Sequence, residues 1–169
     1  MIERGVVPII MTTFSKFAGS AGAAISAPNR ELIDLLDVSP TSIGTISLPP
    51  PVTAAALESI RQVRSQPERV AKLQANTRYL RSQLIAAGFE AIGETNVVPV
   101  LLPPDLDPKA FARALMEEHG IWVSAIWFIA KPRLRITANA LHTQAEMDQL
   151  VNAMIEVRKK LGSAVVQYA

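Results

Sequence analysis

Three short runs constrain the fold of this chain most strongly: VVPVLL at 97–102, IWVSAIWF at 121–128 and RLRITA at 133–138. Each is rich in β-branched, aromatic or long aliphatic residues and too short for an ordinary helix, so each predicts a strand. Between the first two lies DPKAFARALMEEHG, a predicted helix with Asp107 as N-cap and Pro108 at its first position. After the third run, Thr143 and Glu146 stand at capping-box spacing ahead of MDQLVNAMIEVRKKL. That last helix is expected to end in its basic residues, which suit the negative end of its dipole. Strand, helix, strand, strand, helix predicts a compact α/β unit over 96–169.

Upstream, PERVAKLQANTRYLRSQLIAAG repeats Val70, Leu73, Thr77, Leu80 and Leu84 at helical spacing, with Gly88 as the stop. This helix is expected to bridge two parts over 65–95, leaving 1–64 as a separate region. There the apolar residues 6–12 predict a buried strand, suited to a parallel sheet covered on both faces. Few other segments offer themselves as its neighbours. A tight turn, a second apolar run GAAISA, and a helix RELIDLL with Pro28 in its first turn follow. SPTSIGTISLPPP is a predicted loop, and VTAAALESIRQVR a helix whose small residues permit close packing.

Charge and composition narrow the function. The formal net charge is +2 and aromatics make up 5% of the 169 residues, with basic residues scattered among acids. Neither an electrostatic footprint nor a stacking platform for nucleic acid is expected. Cysteine is absent, and His119 and His142 stand far apart without clustered carboxylates, so no metal site is expected. No apolar run approaches the ~20 residues that span a membrane, and no secretory leader is recognisable. The expected setting is the cytoplasm.

One ammonium stands out: Lys16, alone in MTTFSKFAGSAG directly after the first apolar run. A lysine can hold an aldehyde as an imine only if its amine can lose a proton, which partial desolvation favours. With TTFSK at 12–16, TISLPP at 45–50, RLRIT at 133–137 and ALHT at 140–143 in that order, the chain resembles the α-oxoamine synthase family. These are pyridoxal 5'-phosphate (PLP) enzymes of fold type I. The resemblance implies that Lys16 is the cofactor lysine, with the flanking hydroxyls of Thr13 and Ser15 as donors to the cofactor phosphate. It implies that Thr45 reaches the phosphate from a neighbouring subunit, and that Arg135 grips the α-carboxylate of an amino acid. Ile46 stands where many members carry a second hydroxyl. Arg133 reads as a solvated strand residue, His142 as a structural group before the last helix, and His119 as an ordinary helix C-terminal cation.

The implied fold is α/β: the end of a fold type I large domain, then a small C-terminal α/β domain with a mainly antiparallel sheet. The implied activity is a Claisen-type condensation of an amino acid with an acyl thioester, in a homodimer or with a complementing N-terminal half. Two departures stand beside it. Only WFIAKP separates Ile126 from Arg133, where the family has a longer proline-rich loop, so acyl-donor specificity does not transfer. The family's chains are also more than twice this long. The N-terminal part, with the ring-stacking aromatic and the aspartate that pairs with the pyridine nitrogen, has no counterpart here. The chain by itself is therefore expected to be inactive, and the sheet partners of residues 6–12 are expected in that part. A truncated non-catalytic scaffold or dimerisation domain, and a class I/II aminotransferase fragment, are the alternatives.

Overall fold

The computed structural model describes residues 9–128 and 131–166, the side chains of 163–166 excepted. The chain forms two compact units, one up to Pro67 and one from Glu68 onward.

In the first unit, β1 (Ile10–Thr13) and β2 (Ala23–Ser26) form an antiparallel pair, with Ile10 opposite Ser26 and Thr13 opposite Ala23. This corrects the expected buried strand at 6–12. Residues 6–8 lie outside the described residues, and the remainder is a hairpin arm on which Met11 is 68% exposed. Its nearest partner is the run directly after the Lys16 turn, and a short reversal can deliver only antiparallel pairing. Helix α1 (Arg30–Asp37) is capped by Asn29, whose Oδ1 accepts from the Leu32 amide at 3.0 Å. Pro28 therefore precedes the cap rather than lying in the first turn. A side-chain cap outcompetes proline because it satisfies an otherwise orphan amide. After turns through the predicted loop comes α2 (Pro50–Ser65). The core here is small: Phe14, Ala18 and Ala56, with Leu48 and Ile60 packed against them.

The second unit holds α3 (Pro67–Ala86), β3 (Glu90–Ala91), β4 (Val97–Leu101), α4 (Pro108–His119), β5 (Ser124–Ile126), β6 (Arg133–Thr137) and α5 (Gln144–Val166). Its strands form one antiparallel sheet in the order β3-β4-β6-β5. Register follows from alternation. Val98 lies opposite Ile136 and Val100 opposite Leu134, so all four buried side chains share one face. Leu80 and Leu84 of α3, Phe111 and Leu115 of α4, and Met154 and Val157 of α5 complete that core. The helical stripe on α3 is real but begins late: Thr77, Leu80 and Leu84 are buried, whereas Val70 is 39% exposed.

Pro99 sits in a central strand, where a missing N–H is normally costly. Its carbonyl accepts from the Ile92 amide just beyond the end of β3. The proline nitrogen therefore faces the same side, past the last β3 residue, so the bond it forgoes is the reciprocal one to Ile92 and not one of the β4–β6 ladder. Two expectations are corrected in this unit. The run 121–128 gives only three strand residues, because β6 pairs with Ser124–Ile126 alone. The last helix does not stop at its basic residues but continues to Val166. Arg158 is used elsewhere: it donates to the Ala87 and Gly88 carbonyls at the end of α3, at 2.8 and 3.1 Å, with its guanidinium over the Phe89 ring. Among the described residues no helix is long and apolar enough to cross a membrane.

Asn76, 9% exposed, donates through Nδ2 to the carbonyls of Asn139 and His142 at 2.9 and 2.8 Å, tying α3 to the turn between β6 and α5. Asn76→Ala should cost about 1–3 kcal/mol in chemical denaturation, because two carbonyls lose a buried donor. The capping box forms, with the Thr143 amide and hydroxyl donating to Glu146 Oε2 at 2.7 and 2.9 Å. Hydrogen bonds from the Thr143 backbone, then from its side chain, lower the Glu146 pKa. A lowered folded-state pKa gives stability that is present above the unfolded carboxylate value and is lost as pH falls through the folded one. Wild type should lose stability in acid more steeply than Glu146→Gln, as thermal melts across that range would show.

Candidate active site

Lys16 lies in the loop 14–22 between β1 and β2, and small residues shape that loop. Gly19 and Gly22 adopt φ values of 55° and 82°, in the left-handed region. The Phe14 amide donates to the Gly22 carbonyl at 2.9 Å and the Ser20 amide to the Phe14 carbonyl at 3.0 Å, which closes the loop. Phe14 and Ala18 are buried on either side of the lysine and pack against Ala56 of α2. The small-residue face of α2 permits this approach. Two hydroxyls then latch the loop to that helix: Ser20 Oγ donates to the Val52 carbonyl at 2.7 Å, and Ser59 Oγ to the Ala18 carbonyl at 2.9 Å. Sequence reasoning missed both latches, since isolated serines carry no distinguishing pattern.

Pinned on both flanks, Lys16 is exposed. Its amine and the hydroxyls of half-buried Thr13 and exposed Ser15 have no hydrogen-bond or ion-pair partner among the described residues. One uncommitted amine between two uncommitted hydroxyls fits a group that carries both an aldehyde and a phosphate. The partial desolvation that favours imine chemistry is not supplied here, because the described residues leave Lys16 open. Thr45 is also exposed, and its Oγ1 donates to the Ser42 carbonyl at 2.8 Å, a local turn bond. Ile46 beside it is 97% exposed.

Arg135 belongs to the second unit. Its cross-strand neighbours are Pro99 and Ser124, on the sheet face opposite the one that carries Leu134 and Ile136. It lines a concavity of about 520 Å³ with His119, Trp122, His142 and Glu146, and its guanidinium makes no ion pair or hydrogen bond among the described residues. Arg133 Nε donates to the Lys131 carbonyl at 3.0 Å. His142 Nδ1 accepts from the Asn139 amide at 3.3 Å, and His119 Nε2 lies 3.8 Å from Glu156 Oε2. His142 thus supports its turn, and His119, in the last turn of α4, faces Glu156 of α5. Asn76 was another residue missed: its helical spacing resembles that of any exposed polar position.

Residues 2–154 match the family described as aminotransferase class I and II. The chain belongs to that family. Among curated members of this aminotransferase family, 8-amino-7-oxononanoate synthase of Marinobacter nauticus is 32% identical over 99% of this chain and 44% of its own length. The synthase of Geotalea daltonii is 37% identical over 92% of this chain and 41% of its own. 2-Amino-3-ketobutyrate coenzyme A ligase of Escherichia coli K12 is 32% identical over 94% and 41%. Among solved structures, serine palmitoyltransferase of Sphingomonas wittichii superposes with a TM-score of 0.81 at 25% identity, over 93% of this chain and 41% of that one. The relatives are α-oxoamine synthases of PLP fold type I, and this α/β chain spans less than half of their length.

A Cβ at Gly22 would overlap the Leu48 side chain, and its positive φ disfavours any L side chain. Gly22→Ala should therefore destabilise the lysine loop by about 1–2 kcal/mol, read as faster amide exchange at 14–22 with the second unit unchanged.

Proposed function

We propose that this chain is the C-terminal part of a PLP-dependent α-oxoamine synthase that condenses an amino acid with an acyl thioester. The observation that carries the reading is the lysine loop: Lys16 is held between the buried anchors Phe14 and Ala18, with its amine and the Thr13 and Ser15 hydroxyls all uncommitted. The kinship with synthases and ligases of this chemistry supports it.

When bound, PLP supplies an electron sink for charge at the amino acid's α-carbon. Lys16 would hold the cofactor through its amine and is the group placed to carry a proton to or from that carbon. Thr13 and Ser15 would donate to the cofactor phosphate, and Thr45, now bonded to the Ser42 carbonyl, would do so from a neighbouring subunit. Arg135 holds the α-carboxylate, an interaction of about 1.5–3 kcal/mol when charge-assisted. The open position of Lys16 and the three-residue core of the first unit support the view that catalysis requires a further portion of the large domain. A homodimer and a cytoplasmic setting belong to the same proposal.

The second reading, a non-catalytic scaffold, is favoured by Ile46 at 97% exposure and by the commitment of Thr45 to its own turn. One experiment separates the two. The chain, alone and mixed with a candidate N-terminal portion, is incubated with PLP and reduced with borohydride, and its peptides are weighed. The synthase reading expects a pyridoxyl mass on the Lys16 peptide, stronger in the mixture and absent in Lys16→Ala and Lys16→Arg. No modification of Lys16 in either sample would overturn it.

A further inference from the structure

A concavity of about 470 Å³ opens between α3 and the turn that joins β3 to β4, wholly within the second unit. Its walls carry two guanidinium groups, Arg78 and Arg81, with Gln74, Thr95, Asn96 and one carboxylate, Glu94. Residues three apart on a helix share a face, so both cations address the same space. Arg81 is anchored at one corner, where Nη2 donates to the Thr95 carbonyl at 3.2 Å. Its Nε is shielded from solvent and has no acceptor. Arg78 is exposed and its guanidinium has no hydrogen-bond or ion-pair partner among the described residues. Glu94 lines the same space without coming within ion-pair distance of either arginine.

We infer that this concavity binds the oxyanion of a small molecule, with Arg78 and Arg81 as its grip. A shielded guanidinium N–H without an acceptor is uncommon in folded proteins, and an anion in the concavity would reach it only as the Arg81 side chain shifts. A planar fork presents parallel donors that match a carboxylate or phosphate. The Thr95 bond restrains Arg81 in advance, so less side-chain freedom is lost on binding than for a free arginine. Glu94 repels the ligand from its side of the space and biases the anion toward α3. Lys16 and its loop take no part.

The test titrates the intact chain with inorganic phosphate and, separately, with citrate, at ionic strength matched by sodium chloride. The arginine Nε–Hε signals are followed by NMR. The Arg78 and Arg81 signals should move saturably with at least one anion and not with chloride. Saturation by phosphate alone points to a phosphorylated ligand, and saturation by citrate alone to a polycarboxylate. Arg78→Gln should weaken binding about tenfold or more with an unchanged circular dichroism spectrum. Glu94→Gln should tighten it. Movement that never saturates, or that chloride reproduces, would overturn the inference. So would a shift of the Arg81 signal in ligand-free Glu94→Gln, because Glu94 would then be the missing acceptor.

Discussion

Single-sided burial of the four-stranded sheet organises the second unit. Val98, Val100, Leu134 and Ile136 form two cross-strand pairs on one face, and α3, α4 and α5 cover them with Leu80, Leu84, Phe111, Leu115, Met154 and Val157. Because side chains alternate along a strand, this choice of face places Arg133, Arg135 and Thr137 on the other. Arg135 is left exposed as a consequence of where its neighbours are buried. A one-residue slip in the β4–β6 register would bury the arginines and expose the core, which makes that register strongly specified.

The first unit rests on a different principle. Its buried apolar residues are few, and hydrogen bonds from small polar side chains do much of the holding. Phe14 and Ala18 dock on the small-residue face of α2, and Ser20 and Ser59 fasten the loop to it. The Lys16 side chain is thereby left free while the backbone beside it is fixed. A preorganised support of this kind reduces the ordering cost of binding. The exposed Met11, Ile25, Leu35, Val38 and Ile43 of the same unit contribute nothing to its own core.

Much of the second unit was legible because local signals and long-range packing agreed. Asp107 with Pro108, Gly88, and Thr143 with Glu146 marked helix ends through backbone groups that must find partners, and each acts as expected. The sequence misled where a signal depends on a distant partner. Trp122, Trp127 and Phe128 look like strand residues, yet only Ser124–Ile126 pairs with β6, and strand length follows that pairing and not aromatic content. Arg158 and its neighbours look like a helix terminus, yet Arg158 caps α3, many residues earlier in the chain. In the lysine loop the motif identified Lys16, Thr13 and Ser15 as candidates, whereas the latching serines were invisible.

Family membership was legible in the sequence alone, through TTFSK, TISLPP and RLRIT in that order, and capping and glycine signals place the helices. Tertiary structure decided the pairing of β1 with β2, the exposure of Lys16, the face on which Arg135 stands, and the convergence of Arg78 and Arg81 with the β3–β4 turn. The division has a physical reason. Periodicity and caps act over a few residues and can be read along the chain, whereas exposure, facing and hydrogen-bond partnership depend on segments that meet only after the backbone has closed on itself.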